Sequence, residues 1–389
     1  MPAEGRPAVG EGLVARSCGL GSKWPRGFAE SHVDRRALLV LSSLRGLTPL
    51  KLLRLARRLG PAAACLAAVR EGRAGSAADR RYAETLDPAD LEAAVSACGA
   101  RFVPVGSDEY PAQLEHLSDP PAALFVLGRP LPIPCSAVAV VGARNCSDFG
   151  RDVAWTIGRD LASCGVCVVS GAARGIDAAS HEGALAGGGH TVAVLGCGID
   201  RVYPRGSRSL LSRVAREGTI ASEYPPGVPA GPYRFPARNR ILAALARGLV
   251  VVEGAAGSGS LISAEHALDL GREVFAVPGT IDNPLTEVPH ALIREGATLI
   301  RGVGDLLSDL GIAEAAIARE ESTACLDATP SEQAALGHIR GAVLPEAVAR
   351  ELGLTVPEAL PLLTSLEMKG LIRSVGGRFQ RRMGPTDRD

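Results

Sequence analysis

Between Val138 and Ile300 the chain repeats one arrangement: a short apolar run, a turn of small residues, then a helical stretch. The runs fall at 137–142, 166–170, 191–195, 219–222, 248–252, 273–277 and 297–300. They are continuous Val/Ala/Leu rather than alternating apolar and polar, as strands covered on both faces require. Helices are expected between them at 149–164, 175–187, 206–217, 237–246, 260–270 and 288–295. Strands separated by one helix each form right-handed crossovers, so the neighbours lie parallel. The chain therefore reads as an α/β fold: an extended Rossmann-like, mostly parallel sheet over 98–312. Residues 98–135 are a lead-in, with a strand from Ala100 to Val105 and another entered through Pro120 and Pro121.

The flanks have different periods. Residues 1–31 are aperiodic and rich in Gly, Pro and Arg, and read as a disordered tail. Over 32–97 the pattern is helical, with Leu38, Leu39, Leu41 and Leu44 at helix spacing. Thr48-Pro49 caps a second helix, Gly60 closes it and Pro61 opens the next. Gly46 to Gly60 has the cadence of a helix-hairpin-helix, whose loop amides can hold a DNA phosphate. A small helical (SAM-like) bundle used for packing or protein contacts fits equally. Residues 313–330 form an Ala/Glu-rich linker. Residues 331–383 read as three helices and a hairpin, a C-terminal winged-helix domain in which Pro361 is expected to strain the third helix. Thr355 to Lys369 would be the recognition helix and Arg373, Arg378, Arg381 and Arg382 the wing contacts. Pro357, Glu358 and Glu367 make its exposed face acidic, which suits a protein contact better than a DNA groove.

Formal net charge is zero, so affinity for nucleic acid must come from a local patch. Lys23, Lys51 and Lys369 are the only lysines among 42 basic residues, so a single arginine is a weak functional clue in this chain. The nine cysteines lack framework spacing. Cys164 and Cys167 read as a thiol at a helix end and another in a buried strand. Reduced thiols fit a cytoplasmic protein. No apolar run approaches the ~20 residues that span a bilayer, and the first residues lack a secretory apolar region.

In an open α/β sheet the carboxyl ends of the strands converge on one crevice. Four turns gather there: Val141 to Arg144, Ser170 to Asp177, Phe235 to Arg240 and Gly257 to Ile262. Gly142 and Arg144 follow the first strand, where a guanidinium can grip a phosphate in bidentate fashion. Ser170 and Gly171 end the second strand. Arg174 and Gly175 start the next helix, and Asp177 caps that helix or orients Arg174. Phe235, beside Arg238, Asn239 and Arg240, either stacks on a base while the arginines track the backbone, or anchors its loop. Ser258, Gly259 and Ser260 sit at a helix start and can cap it or donate to phosphate.

Enzyme signatures are incomplete. Gly196-Cys-Gly198 begins like a dinucleotide fingerprint, but Arg201 stands where the third glycine belongs. No Walker loop and no Gly-x-Ser-x-Gly elbow occurs. Gly257 to Glu265 partly matches a nucleotide phosphoribohydrolase motif, with Leu261 and Ile262 in the Gly-Thr positions. His181, His190, His266 and His290 are scattered singly, without metal-ligand spacing, and each reads as a surface or helix-end imidazole. No cofactor or metal is expected, and no catalysis.

These blocks resemble the DNA-processing protein A (DprA/Smf) family. The match runs through Val138 to Arg144, Val169 to Asp177, Ala193 to Pro204, Ser222 to Pro226, Phe235 to Ile241, Gly259 to Ile262, Gly271 to Gly279 and Leu292 to Ala297. The family commonly carries a basic residue and a serine where Ala255-Ala256-Gly257 stand. The resemblance implies a cytoplasmic homodimer that binds single-stranded DNA and loads the RecA recombinase during natural transformation. It assigns pocket roles to Arg144, Ser170, Gly171, Phe235, Arg238, Asn239, Arg240, Ser258 and Gly259; other arginines such as Arg201 or Arg234 would make up for the cation lacking at 255–257. The alternatives are a phosphoribohydrolase-like enzyme using the same crevice, and a duplex-DNA regulator acting through the winged helix.

Overall fold

The structure is a computed structural model describing residues 22–131, 137–312, 329–339, 343–369, 371–375 and 377–381. Five helices come first: α1 (His32–Ser42), α2 (Pro49–Leu59), α3 (Ala62–Arg70), α4 (Ala77–Thr85) and α5 (Pro88–Ala97). Their starts follow the capping residues: Ser31, Thr48, Ser76 and Asp87 each accept from a backbone amide of the first turn. Leu38 and Leu41 of α1 and the buried leucines of α2 join one apolar cluster with Leu124, Val192 and Leu249 of the sheet. The N-terminal helices are thus part of the same core.

The structure bears on two expectations in this region. Residues 24–29 are no tail: Trp24, Phe28 and Ala29 are buried, with the two rings stacked at 4.7 Å. An aromatic pair in a Gly/Pro-rich stretch has no period to reveal it. The hairpin loop does not offer its first amide to a phosphate either. Gly46 N donates to Asp79 Oδ1 at 2.9 Å, and the same carboxylate closes a capping box on Ser76. Residues 1–21 of the expected tail lie outside the described residues.

The strands are β1 (Arg101–Pro104), β2 (Ala123–Gly128), β3 (Ala137–Val141), β4 (Cys167–Ser170), β5 (Thr191–Leu195), β6 (Thr219–Ser222), β7 (Gly248–Val251), β8 (Glu273–Ala276) and β9 (Thr298–Leu299). They form one sheet in the order β1-β2-β6-β5-β4-β3-β7-β8-β9. From β3 to β9 every pairing is parallel. The lead-in adds β2 antiparallel to β6 and β1 antiparallel to β2. Chain order reverses at β3, which pairs with both β4 and β7, so the switch-point crevice opens between β3 and β7.

The connecting helices are α6 (Asp148–Ser163), α7 (Ile176–Ala186), α8 (Arg208–Glu217), α9 (Arg234–Leu245), α10 (Gly259–Asp269), α11 (Glu287–Arg294) and α12 (Val303–Asp309). Helices α6 and α7 approach through glycine. A Cβ on Gly158 would lie 2.2 Å from Ser180 O, and one on Gly183 would lie 2.0 Å from Trp155 O. Neither obstacle is a flexible side chain, so the helices would have to part. Gly158→Ala is expected to cost about 1–3 kcal/mol, read as a lower urea midpoint. Cys164 caps the end of α6 and Cys167 is buried in β4.

At the C-terminus α13 (Pro330–His338), α14 (Pro345–Leu352) and α15 (Val356–Met368) pack around Leu363, Leu366 and Ile372, with β10 (Ile372–Val375) antiparallel to β11 (Arg378–Arg381). This is a winged helix. Buried Glu332 accepts from Ser365 Oγ at 2.6 Å and Lys369 Nζ at 2.7 Å, which fastens α13 to α15. Helix α15 runs through Pro361 without a break. Thr329 and Pro330 belong to the start of α13 rather than to a linker, since Thr329 forms its capping box with Glu332. The remaining linker residues, 313–328, and Arg382 lie outside the described residues.

Candidate nucleic-acid interface at the sheet rim

At the switch point, Gly142 to Arg144 leave β3 and Val252 to Gly254 leave β7. In dinucleotide-binding sheets the helix after the first strand receives a phosphate at its N-terminus. Here that place is filled from within. Buried Glu253 accepts from Ser147 N at 2.9 Å and from Ser147 Oγ at 2.5 Å, at the start of α6. Gly150 faces the same carboxylate so closely that a Cβ would lie 2.3 Å from it. The start of α6 is thus already occupied by a carboxylate of the chain itself.

On the rim Arg144 is exposed, its guanidinium 5.3 Å from the centre of the Phe235 ring. Phe235 stacks on Tyr203 with centroids 5.1 Å apart. Phe235 is half-buried against Gly196, where a Cβ would fall 2.8 Å from the ring; Tyr203 is the exposed aromatic, at 45%. The glycines of the partial fingerprint thus serve packing. Gly196 admits Phe235, and Gly198 lies against Pro225 O and donates to Val228 O.

The turn after β4 is held by Gly175, at φ 80° and so close to Ala143 O that a Cβ would lie 2.3 Å away. Asp177 accepts from Ala173 N and so holds this turn; it does not cap α7, whose N-cap is Gly175. Burial raises its carboxyl above the usual range, against the nearby Arg238 charge. Arg174 projects from this turn and is exposed. Ser207 reaches Ala172 O at 3.5 Å, bringing the start of α8 beside it with Arg205 and Arg208 exposed. No acid forms an ion pair with Arg144, Arg174, Arg205 or Arg208 among the described residues. Arg201 is half-exposed and pairs with Asp200 at 3.3 Å. The sequence reading passed over Tyr203, Arg205, Arg208 and Glu253, although the aromatic-proline pair after the glycine turn was a usable signal.

Several expected contacts point inward instead. Helix α9 starts at Arg234, three residues before the expected start, so Phe235 to Arg240 are helical and Arg234, Arg238 and Arg240 are buried. Arg238 donates to Gly171 O at 2.7 Å and to Val194 O, tying the ends of β4 and β5 together. Burial holds its pKa below the ordinary arginine value, and the Asp177 carboxylate opposes that. Arg240 is held by Asp119 at 3.0 Å and Glu223 at 2.8 Å. Neither is free for a phosphate. Arg234 is buried, donating to Pro229 O and lying over Tyr224 and Tyr233, so its guanidinium is not open on the rim.

Ser170 is fully buried and donates to Val140 O at 2.6 Å; Gly171 is buried under Arg238. Ser260 is buried and bonded to Ser258 Oγ at 2.8 Å, while Ser258 caps α10. Gly142 is wedged between Ile176 and Glu253 O. What remains open is Arg144, Arg174 and Gly259, with Asn239 half-buried and donating to Gly259 O at 3.4 Å. His181 is no surface imidazole: it is fully buried.

Beyond β8 a cavity of about 410 Å³ lies between Phe149, Pro278, Gly279, Thr280, Asn283 and Thr286. His290 lies 3.1 Å from Gly279 O and braces that loop.

Comparison with known proteins agrees with this architecture. Residues 101–311 match the family model described as DNA recombination-mediator protein A, and residues 326–378 match the DprA winged helix domain. Protein Smf of Escherichia coli K12 is 40% identical over 288 residues, covering 72% of this chain and 77% of that protein. The putative DNA processing protein DprA of Mycobacterium tuberculosis is 37% identical over 313 residues, 77% of each. Among solved structures, DNA processing protein A of Streptococcus pneumoniae superposes with a TM-score of 0.61 at 33% identity, covering 72% of this chain and 98% of that one. The Helicobacter pylori protein, solved for its single-stranded DNA binding mode, gives 0.50 at 27% identity, covering 55% of this chain and 96% of that one. A Rossmann-like sheet, a winged helix and these matches over most of the length place the chain in the DNA recombination-mediator protein A (DprA/Smf) family.

Proposed function

We propose that the rim binds single-stranded DNA, makes and breaks no bond, and serves recombination by presenting the strand to RecA. The carrying observation is the stack of Arg144, Phe235 and exposed Tyr203 beside the unpaired Arg174, Arg205 and Arg208. An aromatic face accepts any base, and guanidinium groups beside it take the phosphates on either side. The inward use of Glu253 supports a polynucleotide lying across the rim over a nucleotide phosphate sunk at α6. A homodimer and a cytoplasmic site complete the reading, supported by the family resemblance and by the free thiols Cys65, Cys167 and Cys197. No helix of the described residues is long and apolar enough to cross a membrane.

Fluorescence anisotropy with labelled oligo-dT and with a duplex, at two salt concentrations, tests this. Tyr203→Ala is expected to weaken oligo-dT binding by about 1–3 kcal/mol, the value of one base–aromatic contact. Arg144→Ala should flatten the plot of log K against log salt by about 0.7, one phosphate contact on a single strand. Equal affinity for the duplex would move the function to the winged helix. Release of free base from a nucleoside monophosphate would make the crevice a phosphoribohydrolase site.

A further inference from the structure

A chain of zero net charge still carries a local excess of cations at its N-terminal helices. Residues 22–60 hold nine cations (Lys23, Arg26, Arg35, Arg36, Arg45, Lys51, Arg54, Arg57 and Arg58) against two acids, Glu30 and Asp34. Asp34 is buried and accepts from Ala63 N, so it neutralises little at the surface. Helix α2 carries the densest part. Its leucines at 52, 53 and 55 and Ala56 face the core, while Lys51, Arg54, Arg57 and Arg58 are all exposed.

No acid forms an ion pair with any of these four among the described residues. Lys51 donates to Gly46 O and Arg57 to Lys23 O, both backbone carbonyls; Asp79, bonded to Gly46 N, feels the Lys51 charge but forms no ion pair with it. Lys23 in turn donates to His116 O and Leu117 O, which fixes the Ser22 to Arg26 turn beside the helix. Of the chain's three lysines Lys51 lies on this face, while the Lys23 ammonium is turned toward His116 and Leu117. Arg57 and Arg58 in the last turn complement the helix dipole, but Lys51 and Arg54 lie toward its other end and gain nothing from it.

We infer that the exposed face of α2 is a second nucleic-acid contact, which holds the phosphate backbone of DNA extending beyond the rim. Lys51, Arg54 and Arg58 follow i, i+3, i+7 spacing and line about 10 Å of one helix face, room for two or three successive phosphates. The face offers no stacking group: among its exposed residues only Leu50 is apolar, and no aromatic is present. Binding there is sequence-independent and set by charge. A membrane surface fits poorly, because the apolar side of this helix is already buried in the core. The hairpin that the sequence suggested thus contributes its outer helix face, while its Gly46 amide is spent on Asp79.

This inference rests on the rim binding DNA, and the test separates the two. The probes are short oligo-dT that fills only the rim and oligo-dT several times longer, with the full chain throughout. The Lys51→Ala/Arg54→Ala/Arg58→Ala variant removes only exposed groups and should keep the wild-type thermal midpoint. It is expected to bind the short probe as wild type does, and to lose about 2 units of salt slope on the long one, as three cations on a single strand predict. Arg144→Ala should weaken both probes. Unchanged binding of the long probe by the triple variant would overturn the second contact and leave the rim standing. Equal loss on both probes would overturn it too, because the face would then belong to one common site. Poly-glutamate binding that disappears in the variant while long oligo-dT binding persists would assign the face to an acidic protein instead.

Discussion

Replacing Arg240 by alanine is expected to lower the unfolding free energy by about 3–5 kcal/mol, the usual cost of stripping one partner from a buried ion pair. Its guanidinium is 4% exposed and lies between Asp119, before β2, and Glu223, after β6. Burial works against its charge, but the two carboxylates outweigh that and raise its pKa above the ordinary arginine value. Without it, two carboxylates face each other around an empty site with no cation. Urea unfolding followed by circular dichroism reads the loss directly. Oligo-dT binding by the remaining folded protein, at low temperature, should keep its wild-type salt slope. A variant of undiminished stability whose slope fell by one phosphate contact would show that Arg240 faces the DNA after all. Arg240→Lys is expected to recover only part of the loss, since one ammonium cannot serve both carboxylates in fork geometry.

Acidification should destabilise the fold through His181. Its Nδ1 lies 2.7 Å from Thr191 Oγ1, and that hydroxyl gives its own proton to Val168 O. The ring must therefore donate from Nδ1, which leaves Nε2 bare, buried and without a hydrogen-bond partner. A second proton would place a charge in a dry interior. Burial first, and the nearby Arg238 charge second, lower the pKa from 6.5 to about 3.

Between pH 6.5 and 3 the unfolded chain holds a proton here that the folded chain refuses. The stabilisation is complete above pH 6.5 and fades as pH falls toward 3, by about 2 kcal/mol at pH 5 and about 3 at pH 4. His190, lowered by burial and by Arg129, acts in the same direction. Urea midpoints at pH 7 and pH 5 measure the drop, and His181→Gln should remove most of it. A variant as acid-sensitive as the wild type would refute the assignment.

The parallel strands were legible because each is a continuous apolar run bounded by glycine or a cap, and burial on both faces leaves no other residue choice. The expected strand at 191–195 and the expected 219–222 coincide with β5 and β6, and the other sheet strands differ by a residue or two at their ends. The N-terminal segment was not legible. Trp24 and Phe28 are single aromatics among glycine and proline, and only the surface they cover explains why they are ordered.

The site was legible in place and half legible in person. Position after β3 and β4 put Arg144 and Arg174 on the rim, where the structure finds them exposed. The same reasoning put Arg238 and Arg240 there, because guanidinium groups beside an aromatic read alike whether they face water or carboxylates. Moving the start of α9 from 237 to Arg234 turns both inward, and Asp119 and Glu223 arrive from segments 121 and 17 residues away.

The sequence by itself determined the α/β class, the run of strands and which turns end at one rim, because periodicity and capping are local and act wherever the chain lies. The tertiary structure alone decided which arginines remain free to meet an anion. That depends on partners distant in sequence: Glu253 filling the start of α6, Asp119 and Glu223 claiming Arg240, and the carbonyls of Gly171 and Val194 claiming Arg238. A charge is available only if the fold leaves it exposed and brings no partner to occupy it.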